Sequence, residues 1–267
     1  MKVVFTDLDG TLLDHRTYSF QPALGALERL REARIPVVFV TSKTFSEVDY
    51  WRRAMRNVSP FVVENGAAIF SPTGTLPLPV TRTETRGDYD MVEFGIPYSR
   101  LTAALRASAK RTGCRVKGFA DMTVAEVSRE CNLPMEQATL AKARCHDEPF
   151  MLLEGDLVAL RAAIEAHGMK LAHGGRFFHI TGPTDKADGV LTLMNAYRQL
   201  GSLETIGFGD GLNDVRFLQL VDRPFLVESP IVAELRNHVP QARVTAPGPA
   251  GWADAILKIL SPATLLV

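Results

Sequence analysis

The sequence predicts an α/β protein: a doubly wound, Rossmann-like, mostly parallel sheet with an α+β segment inserted into it. Two observations carry this. Short continuous apolar runs, "VVFT" (3–6), "IPVVFVT" (35–41) and "TIGFG" (205–209), alternate with segments of helical period at both ends of the chain. Runs of that kind are expected for strands buried on both faces, and strands separated by helices imply crossover connections. Between residues 83 and 182 the pattern changes to strands and helices in no regular alternation.

In order, "VVFT" is the first strand. Pro22 opens a helix in which Leu24, Leu27 and Leu30 recur at helical spacing. After the second strand, Thr44 and Glu47 have the T-x-x-E spacing of a capping box. Val48, Trp51 and Met55 give the helix that follows an apolar stripe. "FVVENGAAIF" (61–70) reads as strand, Asn-Gly turn and strand. The stretch 71–88, rich in Pro, Gly and Thr, reads as a connection or small hairpin. In the insert, helices are expected near 99–112, 134–144 and 156–167. Strands are expected near 150–154 and 169–180, with a hairpin turn at Gly174-Gly175. The α/β pattern resumes with a helix over 184–201, the "TIGFGDGLND" strand and loop, a further helix, strand and helix, and a closing amphipathic helix over 251–260. The expected division is a core of 1–82 and 183–267 with an inserted domain of 83–182.

The 267 residues carry 30 basic and 30 acidic side chains, so no global field draws nucleic acid or an anionic membrane. Three cysteines, Cys114, Cys131 and Cys145, make no C-x-x-C pair and fit free thiols in a reducing compartment. No apolar run approaches the ~20 residues of a membrane span. The expectation is a cytoplasmic protein with a small-molecule substrate and neither nucleic-acid nor membrane partners; its oligomeric state is left open.

Polar residues collect where strands end, which is where ligands bind in open α/β sheets. Asp7 and Asp9 follow the first strand, Thr41-Ser42-Lys43 the second, and Asp210 and Asp214 the "TIGFG" strand; Lys186 starts a helix. An Asp-x-Asp-Gly-Thr sequence is also a good turn, and "GDGLND" faintly echoes a calcium loop, but without its ligand spacing or distal Glu. The combination suits phosphoryl transfer. Asp7 is the expected nucleophile, forming an aspartyl phosphate. Asp9 is the expected acid for the leaving alcohol and then base for water. Thr41 and Lys186 are expected to hold and neutralise the phosphoryl oxygens. Asp7, Asp210 and Asp214 form an oxygen-rich set suited to Mg²⁺, with Asp9 counted in the same acidic group. Neighbouring carboxylates are expected to raise the pKa of Asp9.

In this order, "DLDGT", "VFVT", "DKADGV" and "GFGDGLND" resemble the four motifs of the haloacid-dehalogenase superfamily of Mg²⁺-dependent phosphatases, over the full length of the chain. The insert resembles the C2-type cap of the Cof-like branch. Within that branch, "VTSKT", "FVVENGAAIF", "RCHDEPF" and "GGRFFHITGPTDK" are similar to the mannosyl-3-phosphoglycerate phosphatases. The resemblance implies hydrolysis of that ester to phosphate and mannosylglycerate, a compatible solute. A carboxylate, a phosphate and a sugar need cations and hydrogen-bonding groups. Ser42, Lys43 and Asn65 in the core and Arg144, Glu148, Arg176 and His179 in the insert are the candidates for binding them. Other sugar-phosphate phosphatases (glucosyl-3-phosphoglycerate, sucrose-phosphate) share this core chemistry, as would a phosphosugar mutase. A signalling receiver domain also uses Asp, Thr and Lys, but is shorter, lacks the insert and lacks an acid/base at the position of Asp9.

Overall fold

The computed structural model describes residues 1–76, 83–174 and 177–261. Its strands are β1 (Lys2–Thr6), β2 (Val37–Val40), β3 (Phe61–Val63), β4 (Ala68–Pro72), β5 (Thr83–Arg86), β6 (Tyr89–Glu93), β7 (Arg115–Gly118), β8 (Asp147–Glu154), β9 (Lys170–Gly174), β10 (Phe177–Thr181), β11 (Glu204–Gly209), β12 (Arg223–Val227) and β13 (Arg243–Thr245). Its α-helices are α1 (Leu24–Glu32), α2 (Phe45–Ala54), α3 (Tyr98–Thr112), α4 (Val124–Cys131), α5 (Met135–Ala141), α6 (Leu157–Glu165), α7 (Lys186–Arg198), α8 (Val215–Leu218), α9 (Val232–His238) and α10 (Gly248–Leu260).

The large sheet runs β13-β12-β11-β1-β2-β3-β4-β6-β5. The pairs from β13 to β3 are parallel; β4, β6 and β5 continue it antiparallel. Alternate side chains of β1 explain its unbroken apolar run. Val4 joins a core with Leu27 and Leu30 of α1 and Trp252 and Ile256 of α10. Val3 and Phe5 join a second core, across the sheet, with Val190, Leu193 and Met194 of α7. Each buried Leu, Phe or Val contributes roughly 1.5–3 kcal/mol, so both faces are needed to hold a sheet this wide.

The cap carries a second sheet, order β7-β8-β10-β9, antiparallel throughout. One of its hydrophobic clusters takes in Leu101 and Leu105 of α3, Leu160 and Ile164 of α6, and Phe150 and Ile180 of the sheet. Phe119, Met122, Val127, Ala138 and Phe177 form a separate cluster involving α4 and α5.

Residues 83–93, which the sequence reading gives to the insert, are strands of the large sheet. β6 pairs with β4 in a register that sets Val92 beside Ile69 and Met91 beside Phe70, burying all four. The stretch 71–88, expected as a connection or small hairpin, therefore leads from β4 into further antiparallel strands of the same sheet. β7, α4 and β13 have no counterpart in the sequence reading. The hairpin expected at Gly174-Gly175 is consistent with the antiparallel pairing of β9 and β10, but Gly175 lies outside the described residues.

Candidate active site

Parallel register brings the site together. Thr6, the last residue of β1, lies opposite Phe39 of β2 and Phe208 of β11. The residues just beyond these strands, Asp7, Thr41 and Asp210, therefore emerge along one edge. The Asp7 amide donates to the Phe208 carbonyl at 2.9 Å, and the Thr41 amide to that of Val62 at 3.1 Å, fixing both loop starts.

Lys186 reaches the site as the first residue of α7, which packs against β2 and β3. Asp185 caps that helix: its side chain accepts from the Ala187 amide, and the Asp188 side chain accepts from the Asp185 amide. The Asp185 backbone is approached closely by the β3–β4 turn, where a Cβ on Gly66 (φ 89°) would stand 1.8 Å from the Asp185 carbonyl oxygen. Only glycine permits that conformation and that approach together.

The lysine is 1 % exposed. Its Nζ donates to Oδ1 of Asp7 at 2.8 Å and to Oδ1 of Asp214 at 2.7 Å. Burial works against its charge, but the two carboxylates outweigh this and hold its pKa above the usual value. Asp214 is fully buried, and its Oδ2 accepts from the amides of Asp210 and Gly211 at 3.0 and 2.9 Å. Asp210 accepts from the Thr11 hydroxyl at 2.8 Å. Gly10 (φ 77°) lets the β1 loop come this close; a Cβ there would meet Oδ2 of Asp210 at 2.3 Å.

Asp7, Asp210 and Asp214 each offer an oxygen within 4.8 Å of the others. Three carboxylates share one ammonium, so the cluster is short of positive charge. Burial, with repulsion from Asp214, raises the pKa of Asp7 to about 6 against the pull of Lys186. Burial, with repulsion from Asp7 and Asp214, raises that of Asp210 to about 8. An all-oxygen, anionic donor set with a charge deficit fits a hard divalent cation.

Asp9 departs from the expectation that placed it with the metal set. Its Oδ2 lies 3.0 Å from Nζ of Lys43, and its Oδ1 is buried with no hydrogen-bond partner among the described residues. The cation at the start of the α2 loop draws the carboxylate away from the cluster. Its pKa is raised as expected, but chiefly by burial; Lys43 opposes this and repulsion from Asp7 comes third.

Most expected substrate contacts are engaged inside the protein. Lys43 is buried between Asp9 and Glu47, with Nζ 5.0 Å from the centre of the Tyr18 ring. The Thr41 hydroxyl accepts from the Lys43 amide at 3.2 Å. Arg144 donates to the Ser42 carbonyl at 2.8 Å, the Ala141 carbonyl at 3.0 Å and Asp147 at 3.2 Å. Glu148 accepts from the Tyr98 hydroxyl at 2.5 Å and the Ala120 amide at 3.0 Å. His179 lies 3.0 Å from Asp147. Asn65, left-handed at φ 56°, accepts from the Asn213 amide group at 3.0 Å, joining two loops at this edge of the sheet. Arg176 lies outside the described residues.

Sequence reasoning missed Thr11, although it is the Thr of "DLDGT", and Glu64. The Glu64 carboxylate accepts from the amides of Cys145 (3.0 Å) and His146 (2.6 Å), tying the β3–β4 turn to the cap. The Thr44 hydroxyl adds a bond to the Leu140 carbonyl at 2.9 Å.

The haloacid dehalogenase-like hydrolase family profile matches residues 4–77. A glucosyl-3-phosphoglycerate/mannosyl-3-phosphoglycerate phosphatase of Methanococcoides burtonii is 38% identical over 269 residues, 97% of each chain. A mannosyl-3-phosphoglycerate phosphatase of Pyrococcus furiosus is 32% identical, over 85% of this chain and 91% of the relative. Among solved structures, a Bacteroides thetaiotaomicron phosphatase of the haloalkanoate superfamily superposes with a TM-score of 0.69 at 18% identity, covering 97% of this chain and 94% of that one. A subclass IIB sugar phosphatase of the same superfamily gives 0.67 at 16%, covering 97% and 99%. These two likenesses show the fold. The chain belongs to the haloacid dehalogenase-like hydrolase family, in the group that holds these glycosyl-3-phosphoglycerate phosphatases. It is a phosphoric monoester hydrolase. No helix among the described residues is long and apolar enough to cross a membrane.

Proposed function

We propose that the protein hydrolyses mannosyl-3-phosphoglycerate to mannosylglycerate and phosphate, with Asp7 as nucleophile and Mg²⁺ as cofactor. The observation that supports this most is the shared grip of Lys186 on Asp7 and Asp214 beside Asp210, in a chain 38% identical to a phosphatase of this ester. The second sheet and its helices, beginning after β6, act as the cap over the site.

In this reading an Asp7 oxygen attacks phosphorus, and the bond to the substrate oxygen breaks as Asp9 gives that oxygen its proton. The Asp9 carboxylate then takes a proton from water, which attacks the aspartyl phosphate, releases phosphate and frees Asp7. Asp7, Asp210 and Asp214 are the residues that hold Mg²⁺, which supplies positive charge to the phosphoryl oxygens. Lys186 fixes the attacking carboxylate and adds a second positive charge. Thr41, at the end of β2, orients the phosphoryl group with nearby amides.

The relatives that match 97% of the chain carry glucosyl-3-phosphoglycerate in their names as well, which favours a site that takes both sugars. A panel of phosphorylated sugars and glycerates tests this. Highest kcat/KM on the mannosyl or glucosyl ester supports it; preference for a simple hexose phosphate contradicts it.

A further inference from the structure

Asp9 is tied to the cap by a chain of paired side chains that is buried from Lys43 to Asp147. Asp9 meets Lys43 at 3.0 Å, Lys43 meets Glu47 at 3.5 Å, and Glu47 meets Arg144 at 4.0 Å. Arg144 meets Asp147 at 3.2 Å, and Asp147 meets His179 at 3.0 Å. The first three residues belong to the core, the last three to the cap.

Glu47 is the junction. It is 7 % exposed, and the side chains of Lys43 and Arg144 are buried to a similar degree. Its two oxygens divide their work: Oε1 faces Lys43, while Oε2 accepts from the Thr44 amide at 2.9 Å and faces Arg144. Lys43 also pairs with Asp9 and Arg144 with Asp147, but Glu47 is the carboxylate that both cations reach, so losing its charge leaves each buried cation with less compensation and uncouples their positions. Arg144 reaches Glu47 only because the cap segment is seated. Its bond to the Ser42 carbonyl, the Thr44 bond to Leu140 and the Glu64 bonds to Cys145 and His146 all fix that segment on the core. At the other end, Lys43 holds Oδ2 of Asp9 and leaves Oδ1 unpartnered.

We propose that Glu47 is a positioning residue for the reaction, which couples the seating of the cap to the aim of Asp9. With Arg144 seated, Glu47 fixes Lys43, and Lys43 fixes the Asp9 carboxylate in the orientation that serves the departing alcohol. With the cap unseated, Lys43 shifts and Asp9 loses its aim, so proton transfer waits for a covered substrate. This rests on the acid/base reading of Asp9.

The test compares kcat on an alkyl phosphate, the mannosyl ester, with kcat on 4-nitrophenyl phosphate, whose leaving group needs little protonation. Glu47→Gln keeps an acceptor for the α2 cap and removes the charge. It is expected to lower kcat on the ester about tenfold more than on the nitrophenyl substrate, an effect typical of coupled neighbours. Arg144→Gln, which leaves the α2 cap intact, is expected to show the same selectivity. In an Asp9→Asn background Glu47→Gln is expected to add no further selective loss. Equal loss on both substrates in both variants, or a selective loss that persists fully without Asp9, overturns the proposal. If Asp9→Asn itself shows no leaving-group dependence, the acid/base reading falls and takes the coupling with it.

Discussion

The ammonium of Lys186 lies 2.8 Å from Oδ1 of Asp7, across a sequence separation of 179 residues. Two ends of the chain meet there, and the same ammonium holds Asp214. Lys186→Met should therefore leave two buried carboxylates without compensation. Breaking a buried pair typically costs about 3–5 kcal/mol, and loss of a positioned charge about 10²–10³-fold in kcat. Urea unfolding with and without the substitution checks the first, steady-state rates the second. Unchanged stability would show that the pair is not formed in solution.

The charge deficit of the cluster sets a pH dependence. Asp7 and Asp210 have folded-state pKa values raised to about 6 and about 8. A carboxyl raised on folding stabilises the fold while protonated and loses that contribution as pH rises through the folded value. The cation-free protein should thus lose stability as pH goes from about 4 to about 8, and Mg²⁺ should restore progressively more of it over the same window. Thermal melts in chelator and in Mg²⁺ at several pH values measure this. A Mg²⁺ effect that shrinks with rising pH would contradict it.

Thr11 orients Asp210 through its hydroxyl at 2.8 Å. Thr11→Val preserves shape and removes the bond. Groups that orient a metal ligand typically matter by about 10–100-fold in affinity. The Mg²⁺ concentration for half-maximal rate should rise by about tenfold, with little change in the rate at saturating metal. An unchanged Mg²⁺ requirement would remove Thr11 from the account.

Glu64 holds the cap through two backbone amides. Glu64→Ala leaves both unsatisfied, which costs about 1–3 kcal/mol if they stay buried. Hydrogen exchange should accelerate at the Cys145 and His146 amides, while amides of β1 keep their protection. Protection unchanged at 145 and 146 would mean that Glu64 does not hold the cap there.

The edge that carries the candidate site was legible because its signals are local. Strands buried on both faces read as apolar runs, and parallel register carries whatever follows them to one edge. Asp7, Thr41, Asp210 and Asp214 could thus be placed from "VVFT", "IPVVFVT" and "TIGFG" alone. Lys186 was found through its motif neighbours; the packing of Gly66 on Asp185 that seats it is long-range and left no trace. The direction of Asp9 depends on Lys43, 34 positions away, and on whether that cation faces solvent or core. The expected reading of Lys43, Arg144, Glu148 and His179 as substrate contacts follows from their charge, yet each is occupied by a partner that no spacing in the sequence reveals. Residues 83–93 misled for a related reason: short strands without strong alternation show their membership only through the strand they pair with, here β4.

If Asp7 attacks phosphorus, an aspartyl phosphate forms and can be trapped. A single turnover with ³²P-labelled ester, quenched in acid within milliseconds and digested, should yield one labelled peptide containing residues 3–14. Mass spectrometry should place the phosphate on Asp7, and Asp7→Asn should abolish both label and turnover. Label on Asp9 or any other residue, or full turnover by Asp7→Asn, would contradict the account.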